Sequence, residues 1–337
     1  MKSPHRSLRA AALCLTSMVL GPQALAAELK LPADGWSSWE VAAVDDAPAW
    51  CCWNDGHTAR GGSRTSCKLD GNEGGFGNRD DETTDTVRIY ARTVGGKVDR
   101  LRTLSASCAV EAATPIHDLG TVAEDDSARW LIGLGKQAEL GTVKRHRIGD
   151  TVLAALAIHR GNFARDALAA MARNDARKET RKQAVFWLAQ VRGAEGAEIT
   201  SSVMFDDKDP DVRKHAAFAL GQSKSPRVAA DLIKLGNTDT VGDVRAQAWF
   251  WLAQNGAPEA ENAISAALRK DSDNDVRERA IFALSQLPDD RGTKALIAVA
   301  EDRSLSREQR KRAVFWLTQS ESDAAQAYLE RVLTAHD

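Results

Sequence analysis

The segment RKQAVFWLAQ, residues 181–190, returns four more times along the chain with small changes. The later copies are VRKHAAFALGQ at 212–222, VRAQAWFWLAQ at 244–254, VRERAIFALSQ at 276–286 and QRKRAVFWLTQ at 309–319. Their phenylalanines recur at a nearly constant interval: Phe186, Phe218, Phe250, Phe282 and Phe315. A fixed period of about 32 residues indicates a stacked repeat array, because one such unit cannot bury its apolar face alone. The sequence therefore predicts a solenoid.

Each copy has the pattern of a helix. Val212, Ala216 and Leu220 follow the i, i+4, i+8 spacing of one helical face. Phe218 falls on another side, and a helix that is apolar on several sides is covered on several sides. The residue after each phenylalanine alternates between large and small: Trp187, Ala219, Trp251, Ala283 and Trp316. Because such alternation allows dense packing, we expect these rings to be core.

An arginine keeps the same place in every copy: Arg181, Arg213, Arg245, Arg277 and Arg310. Two residues earlier stands an acid, namely Glu179, Asp211, Asp243, Asp275 and Glu308. Acidic side chains favour the first turn of a helix, where the amide groups are free. Residues two apart on a helix do not face each other, so we expect each arginine to reach an acid or carbonyl of the adjacent repeat. The prediction is an arginine–acid ladder in which Asp211, Asp243 and Asp275 take part.

A second helix follows each first one after a short turn. The predicted second helices are 165–172, 197–205, 227–235, 259–268, 292–299 and 324–332. Two helices in about 32 residues, with the frames DPDVRKHAAFAL (209–220) and DNDVRERAIFAL (273–284), resemble HEAT repeats, in particular the short type of phycobilisome lyases and their relatives. The resemblance covers roughly residue 148 to the C-terminus and implies about six repeats in an all-α solenoid. It says little about function, which depends on sites rather than folds.

The first 26 residues have the pattern of a bacterial secretory signal peptide: a basic start, an apolar run at 10–20 and a small-residue cleavage site at 24–26. The apolar run is shorter than the roughly 20 residues that a membrane-spanning helix needs. We therefore expect a periplasmic or secreted protein without a membrane span.

Charge is nearly balanced over the chain. It contains 45 basic and 47 acidic residues, for a formal net charge of −2, and no basic block. A nucleic-acid partner is therefore not expected, because such partners require a basic surface.

Tryptophan and cysteine are concentrated between residues 27 and 112. The four tryptophans there are Trp36, Trp39, Trp50 and Trp53, and the cysteines are Cys51, Cys52, Cys67 and Cys108. An even number of cysteines in a small exported domain indicates two disulfides. A bond between Cys51 and Cys52 would strain the intervening peptide, so we expect one of them to bond Cys67 and the other Cys108. The sequence does not assign which.

Strand patterns lie in the same region. TVRIYARTV (86–94) and KVDRLRTLSA (97–106) are joined by Gly95-Gly96, a strong hairpin signal. WSSWEVAAV (36–44) and PAWCCW (48–53) are further candidate strands, and 54–85 is expected to be mostly loop. The sequence thus predicts a two-domain α+β fold: a disulfide-stapled antiparallel β-domain at 27–112, a linker and capping helix at 113–147, and a HEAT-like solenoid at 148–337.

Few motifs suggest chemistry. DGNEGGFGNRDD (70–81) has several side chains at the positions of a calcium loop, but glycine occupies a ligand position, which favours a solvated turn. No H-E-x-x-H pair occurs, and the His-Glu steps that HEAT-repeat iron hydroxylases carry are absent from the sequence. We therefore predict no catalytic residue, no cofactor and no metal site.

The function favoured by the sequence is that of a non-catalytic scaffold that holds a protein partner, which the sequence does not identify, on the concave surface of its repeats. We expect the second helices to line that surface, with Lys234, Asn262, Arg269 and Lys294 as contact residues. The alternative is a carbohydrate-binding or enzymatic site in the Trp-rich domain, since exposed indole rings can stack on a glycan. Against it, a small domain needs large apolar side chains for its own core.

Overall fold

The computed structural model describes residues 29–52, 67–71, 76–137, 148–288 and 290–334. The predicted signal peptide and Trp53 lie outside these residues. The strands are β1 Gly35–Ala42, β2 Pro48–Cys52, β3 Cys67–Lys68, β4 Phe76–Thr83, β5 Thr86–Val94, β6 Lys97–Ser105, β7 Val110–Glu111 and β8 Ile116–Thr121. The helices are α1 Glu124–Gln137, α2 Ile148–Ile158, α3 Asn162–Asn174, α4 Lys178–Val191, α5 Gly193–Asp206, α6 Pro210–Gly221, α7 Val228–Thr238, α8 Gly242–Asn255, α9 Ala260–Lys270, α10 Asn274–Ser285, α11 Arg291–Glu301, α12 Arg307–Thr318 and α13 Asp323–Thr334.

The main sheet has the strand order β6-β5-β1-β8. The predicted hairpin joins β5 to β6, with Gly95 and Gly96 at φ +56° and +73°, where glycine has no Cβ to clash. Three details differ from the expectation. β8 lies in the predicted linker and runs parallel to β1, and β4 lies in the predicted loop and pairs with β2. β3 also lies in the predicted loop and runs parallel to β7. β4 and β8 have no apolar alternation and β3 has only two residues, which is why the sequence pattern missed all three.

The two faces of the sheet bury different cores. Trp39 and Ile89 face the helices and belong to the large core, which continues into the array. Trp36 and Tyr90 point the other way, into a small core that contains Cys67 and Cys108. Successive side chains of a strand alternate between faces, so one sheet separates the disulfide-bonded segment from the solenoid.

Helices α1 and α2 join the sheet to the array. Trp130 of α1 packs edge-on against Trp39, with ring centroids 5.1 Å apart. Every residue of α2 from Val152 to Ile158 is buried. Backbone hydrogen bonds also cross the junction, where Val44 N donates to Ile158 O at 2.9 Å and Arg160 N donates to Ala42 O at 2.9 Å. The apolar core is therefore continuous from the sheet to Tyr328 near the C-terminus.

From α2 onward the helices form pairs, as the period predicts. The first helices of the pairs are α2, α4, α6, α8, α10 and α12, and the second helices are α3, α5, α7, α9, α11 and α13. Neighbouring first helices pack closely against each other, whereas neighbouring second helices make few mutual contacts. The first helices therefore form the more closely packed layer of the array.

Candidate interaction surfaces

Three arginines of the first helices form a buried Arg–Asp ladder. Arg213 Nε and Nη2 donate to the two carboxylate oxygens of Asp239 at 2.7 and 2.9 Å, and Nη1 donates to the backbone oxygen of Asp207 at 2.9 Å. Arg181 and Arg245 repeat this pattern with their own aspartates. The Arg213 and Asp239 side chains are only 10% and 5% exposed. Hydrogen bonding to Asp239 raises the pKa of Arg213, which fixes its charge.

The ladder's acids are Asp207, Asp239 and Asp271, which follow the second helices, and differ from the predicted set. Each of these aspartates also accepts a hydrogen bond from the backbone amide two residues later. The predicted acids stand in the exposed first turns instead. Asp211 pairs with Lys178 at 2.8 Å and Asp243 with Arg279 at 2.8 Å, while Asp275 donates its backbone amide to Asp273.

The ladder stops after Asp271. Arg277 contacts Asn274, and its buried Nε has no hydrogen-bond partner among the described residues. Asp302, which follows the next second helix, pairs with Arg269 at 3.1 Å. Arg310 donates to the backbone oxygen of Leu305. The last two predicted ladder positions therefore lack the buried carboxylate that the earlier arginines bind.

An aromatic row runs along the first helices. Each of its rings has its centroid 4.8–6.0 Å from the next. In order of contact the members are Trp50, Trp187, Phe186, Phe218, Trp251, Phe250, Phe282, Trp316 and Phe315. The β-domain thus contributes the first ring, and the last repeat contributes the final one.

The tryptophans that follow the phenylalanines, which we expected to be core, are partly buried and pack against the core: Trp187, Trp251 and Trp316. The phenylalanines of the aromatic row are not fully buried either. Phe186, Phe218, Phe250 and Phe282 are half-buried, and Phe315 is 49% exposed. Within the described part of the chain no further layer covers the first helices, so rings that pack sideways against each other still reach the surface. Partly exposed aromatic rings in a continuous patch are typical of interaction surfaces.

The two flanks of the aromatic row differ. At the N-terminal ends of the first helices, charges pair across repeats, for example Lys178 with Asp211 and Arg312 with Glu278. At the C-terminal ends stands a row of amides: Gln190, Gln222, Gln254, Gln286 and Gln319. His215 lies beside Phe218 at 5.3 Å, and its burial lowers its pKa to about 4, so that it is neutral near pH 7.

The predicted contact residues of the second helices share one stripe. Asn262 and Lys294 occupy equivalent places in consecutive repeats, and Lys234 and Arg269 fall one and two helical turns further along the same face. All four are exposed. Lys234 Nζ lies 4.3 Å from the Phe205 ring, and Arg269 is held by Asp302. This second-helix stripe is a polar surface, and the aromatic row lies in the other layer.

One serine–histidine pair invites comparison with a catalytic dyad. Ser127 Oγ and His159 Nε2 are 2.8 Å apart, and Trp39 Nε1 donates to the same hydroxyl at 2.8 Å. All three residues are fully buried, and burial lowers the pKa of His159 to about 4. A nucleophile must reach its substrate, so this pair acts as a polar bridge between sheet and helices.

The cysteines and tryptophans of the β-domain are structural in the described part of the chain. A disulfide joins Cys51 to Cys108, with Cα atoms 5.7 Å apart. Cys67 is also disulfide-bonded, and the Cys52 side chain lies outside the described residues. Trp36, Trp39 and Trp50 are at most 4% exposed, so none of the three offers a platform for a glycan.

The described residues contain no cluster of three or more histidines, cysteines, aspartates or glutamates that could hold a metal. Asp70, the first residue of the calcium-like segment, already accepts hydrogen bonds from Trp36 Nε1 at 3.0 Å, Arg92 at 2.9 Å and Ala113 N at 2.8 Å. The Asp70 carboxylate is therefore already used in hydrogen bonds within the β-domain. Residues 72–75 and the side chains of 76–81 lie outside the described residues.

Comparison with known proteins identifies the repeats. Residues 165–249 and 239–314 match the family model of HEAT repeats, so the array is a HEAT-repeat solenoid. No curated protein matches the chain. Among solved structures, human deoxyhypusine hydroxylase in complex with glycerol is similar at 19% identity, over 60% of this chain and 77% of its own, with a TM-score of 0.31. That protein is an enzyme by its name, and so distant a likeness carries no activity over to this chain. Within the described ranges no helix is both long and apolar enough to cross a membrane.

Proposed function

We propose that this protein is an exported, non-catalytic scaffold that binds another protein along the aromatic row of its first helices. The observation that carries the proposal is the row itself, which begins at the buried Trp50 and continues as a line of partly exposed rings to Phe315 on the closely packed face of a HEAT-repeat array. Such arrays present long concave surfaces to their partners. The Arg–Asp ladder and the continuous core make that surface rigid, which lowers the entropy cost of binding.

Two finer assignments belong to the same proposal. The repeat unit of about 32 residues supports the short type of HEAT repeat that resembles those of phycobilisome lyases. The disulfide between Cys51 and Cys108 supports an oxidising compartment, such as the periplasm or the extracellular space, because disulfides are rare in the cytosol.

The test is chemical crosslinking of the tagged protein in its own compartment, followed by mass spectrometry. We expect a specific protein to be recovered, and its recovery to fall when Phe218→Leu and Phe250→Leu are combined. These substitutions keep apolar side chains while removing the rings. A matched control combines Lys234→Ala with Lys294→Ala on the second-helix stripe, and should leave recovery unchanged.

The opposite result would assign the binding surface to another part of the molecule. Loss of the partner in the second-helix control, with full recovery by the phenylalanine variant, would show that the polar stripe is the binding face. Recovery of glycan alone would favour the carbohydrate alternative in the β-domain. Circular dichroism of each variant checks that the array remains folded.

A further inference from the structure

We propose that the C-terminal end of the Arg–Asp ladder binds a carboxylate group of another molecule, in place of the aspartate that the chain does not provide there. The site is centred on Arg277, near the start of α10, and on the turn between α11 and α12 at residues 302–306. It uses none of the rings of the aromatic row, so the inference goes beyond the proposed function.

The three regular steps of the ladder show what this arginine position binds. Arg181, Arg213 and Arg245 each hold one carboxylate through Nε and Nη2, at donor–acceptor distances of 2.7–3.1 Å. Two parallel, charge-assisted hydrogen bonds of this kind select a planar group with two oxygens. The repeats therefore identify a carboxylate as the group that fits the position.

At the fourth step an arginine replaces the aspartate. The ladder acids of the regular steps recur at a constant interval: Asp207, Asp239 and Asp271. The residue at the next interval is Arg303. Asp302 lies beside it in sequence but pairs with Arg269, at 3.1 Å. Among the described residues no carboxylate pairs with Arg277, although the arginine itself is retained.

Arg277 has hydrogen-bond donors that no acceptor of the chain uses. Its Nη2 donates to Asn274, whereas its buried Nε has no partner among the described residues. In the regular steps Nη1 donates to a backbone oxygen, as Arg245 does to Asp239 at 3.0 Å, and Arg277 forms no such bond within the described part of the chain. A guanidinium nitrogen that is buried without an acceptor is unfavourable. A carboxylate that displaced the Asn274 side chain would supply the missing acceptor.

The fourth step is more open to solvent than the regular steps. The ladder aspartates of the regular steps have side chains that are 4–8% exposed, whereas the Asp302 side chain is 21% exposed. The turn is also longer, since three residues separate Asp302 from the N-cap Ser306, but only one separates Asp271 from the N-cap Asp273. Arg277 is only half-buried, so an external group can approach it at this turn.

The bases around the turn favour an anion. Three further arginines in or next to the turn form no ion pair with the described residues: Arg303, Arg307 and Arg310. Arg303 and Arg307 are exposed, and Arg310 donates to the backbone oxygen of Leu305. Together with Arg277 they leave an excess of positive charge that attracts a negatively charged group.

The acids near the site do not neutralise this excess. Three of them already have a basic partner, in the pairs Asp271–Arg245, Asp302–Arg269 and Glu308–Lys311. Asp273 accepts a hydrogen bond from the backbone amide of Asp275 at 2.9 Å. Asp275 itself is exposed, but it lies two residues before Arg277 and therefore faces another side of α10.

The experiment follows the Nε–H resonance of Arg277 by nitrogen-15 NMR of the full chain, with the resonance assigned through Arg277→Gln. The probe is a blocked alanine peptide with one central aspartate, and the matched neutral probe has asparagine in its place. We expect only the aspartate peptide to shift the resonance, with binding that weakens as salt is added. In calorimetry, Arg277→Gln should weaken binding of that peptide about tenfold, as for loss of a charge-assisted hydrogen bond.

Two charge reversals separate a specific site from general electrostatic attraction. Arg303→Asp places a carboxylate at the ladder interval, where it competes for Arg277, and should weaken peptide binding about tenfold or more. Arg307→Asp makes the same change of charge nearby but outside the ladder interval, and should weaken binding much less. If Arg277→Gln fails to fold, this pair of variants still tests the site.

Acetate distinguishes the two sources of a carboxylate. If acetate shifts the Arg277 resonance at the same concentration as the peptide, the ligand is a small carboxylic acid. If the peptide acts at a much lower concentration, the ligand is an acidic side chain of a protein.

Four results would overturn the inference. They are an equal shift by the asparagine peptide, peptide binding that Arg277→Gln leaves unchanged, equal weakening by the two charge reversals, and tighter binding of inorganic phosphate than of either carboxylate probe. None of these measurements depends on the aromatic row, so failure of this inference and failure of the proposed function are distinguishable.

Discussion

The array has two parts that differ in their buried charges. From α4 to α9, each first-helix arginine binds a buried aspartate, as Arg213 binds Asp239. From α10 onward the arginine still recurs, but the interval between successive aspartates no longer equals the interval between successive arginines. The interval from Asp271 to Asp302 is one position shorter than the regular repeat, whereas the interval from Arg277 to Arg310 is one position longer. Each step of the ladder requires the arginine and the aspartate to recur at the same sequence interval.

The C-terminal part uses other contacts in its place. Ser306 and Gln309 form a capping box at the start of α12, and Arg331 pairs with Glu301 at 2.7 Å on the surface, where both side chains are more than half exposed. Exposed pairs contribute about 0–1 kcal/mol, whereas loss of one partner of a buried pair costs about 3–5 kcal/mol. We therefore expect the C-terminal part to open before the rest.

The largest expected effect is that of Arg213→Ala. It would leave Asp239 buried without its counter-charge, and breaking a buried pair in this way costs about 3–5 kcal/mol. Arg277→Ala strands no carboxylate and should cost about 1 kcal/mol or less. Urea unfolding of both variants, with the exposed Arg279→Ala as control, measures the difference. Equal losses for Arg213 and Arg277 would remove the distinction between the two parts.

Removal of the disulfide tests whether the N-terminal part depends on sulfur instead. Cys51 and Cys108 are 57 residues apart, and closing a loop of this size contributes up to about 4 kcal/mol. Because the bridge lies on the sheet face away from the solenoid, we expect Cys51→Ser with Cys108→Ser to alter the near-ultraviolet tryptophan signal while the helical signal stays. Concerted loss of helix would mean that the disulfide supports the array as well.

At low pH we expect the sheet–α2 junction, rather than the C-terminal part, to be the first region to open. The pKa of His159 lies near 4, below its ordinary 6.5, because burial disfavours the charged ring. The unfolded chain therefore binds a proton that the folded chain does not, so stability is complete above about pH 6.5 and falls by about 3 kcal/mol as the pH drops toward 4. Hydrogen exchange should show the sheet–α2 junction opening first in acid.

The matched variants His159→Gln and His215→Gln separate the two buried histidines. His159→Gln should flatten the pH dependence at the junction. His215 is less buried, so its replacement should change the profile less. A junction whose exchange is the same at pH 7 and pH 4.5 would refute a role for His159.

The smallest expected effect is that of Ser306→Ala, which removes the capping box of α12. Loss of an N-cap serine costs about 1 kcal/mol. Arg177, at the N-cap of α4, has no capping side-chain bond, so Arg177→Ala is the matched control and should leave helix stability nearly unchanged. The effect of Ser306→Ala should appear as faster hydrogen exchange in α12 and α13 only.

The array could be predicted from sequence because its signal is repetition, and the five phenylalanines alone locate the first helices. Strands β4 and β8 could not be predicted from sequence, because neither FGNRDDET nor IHDLGT alternates between apolar and polar residues. Both strands form because neighbouring strands provide hydrogen-bond partners, which is tertiary context that local pattern does not contain.

The sequence analysis placed the binding surface on the second helices, whereas the aromatic row that we propose for binding lies on the first helices. The exposure of Phe218 depends on which layer packs more closely, and a helical wheel does not show that. The correct acids of the ladder did carry a signal. Asp207, Asp239 and Asp271 recur at the same interval as the phenylalanines, and each is the residue at which a second helix ends. The sequence analysis chose instead the acids that lie two residues before each arginine.

The ladder also bears on how such a chain grows. Asp207 gives its carboxylate to Arg181 and its backbone carbonyl to Arg213, so a unit copied from one aspartate to the next contains every bond to both neighbours. Duplication of such a unit would extend the gene without mismatch at either joint. A unit in which the arginine and the aspartate recur at different intervals could not continue the ladder. The last repeats of this chain have such a mismatch, and the ladder ends there.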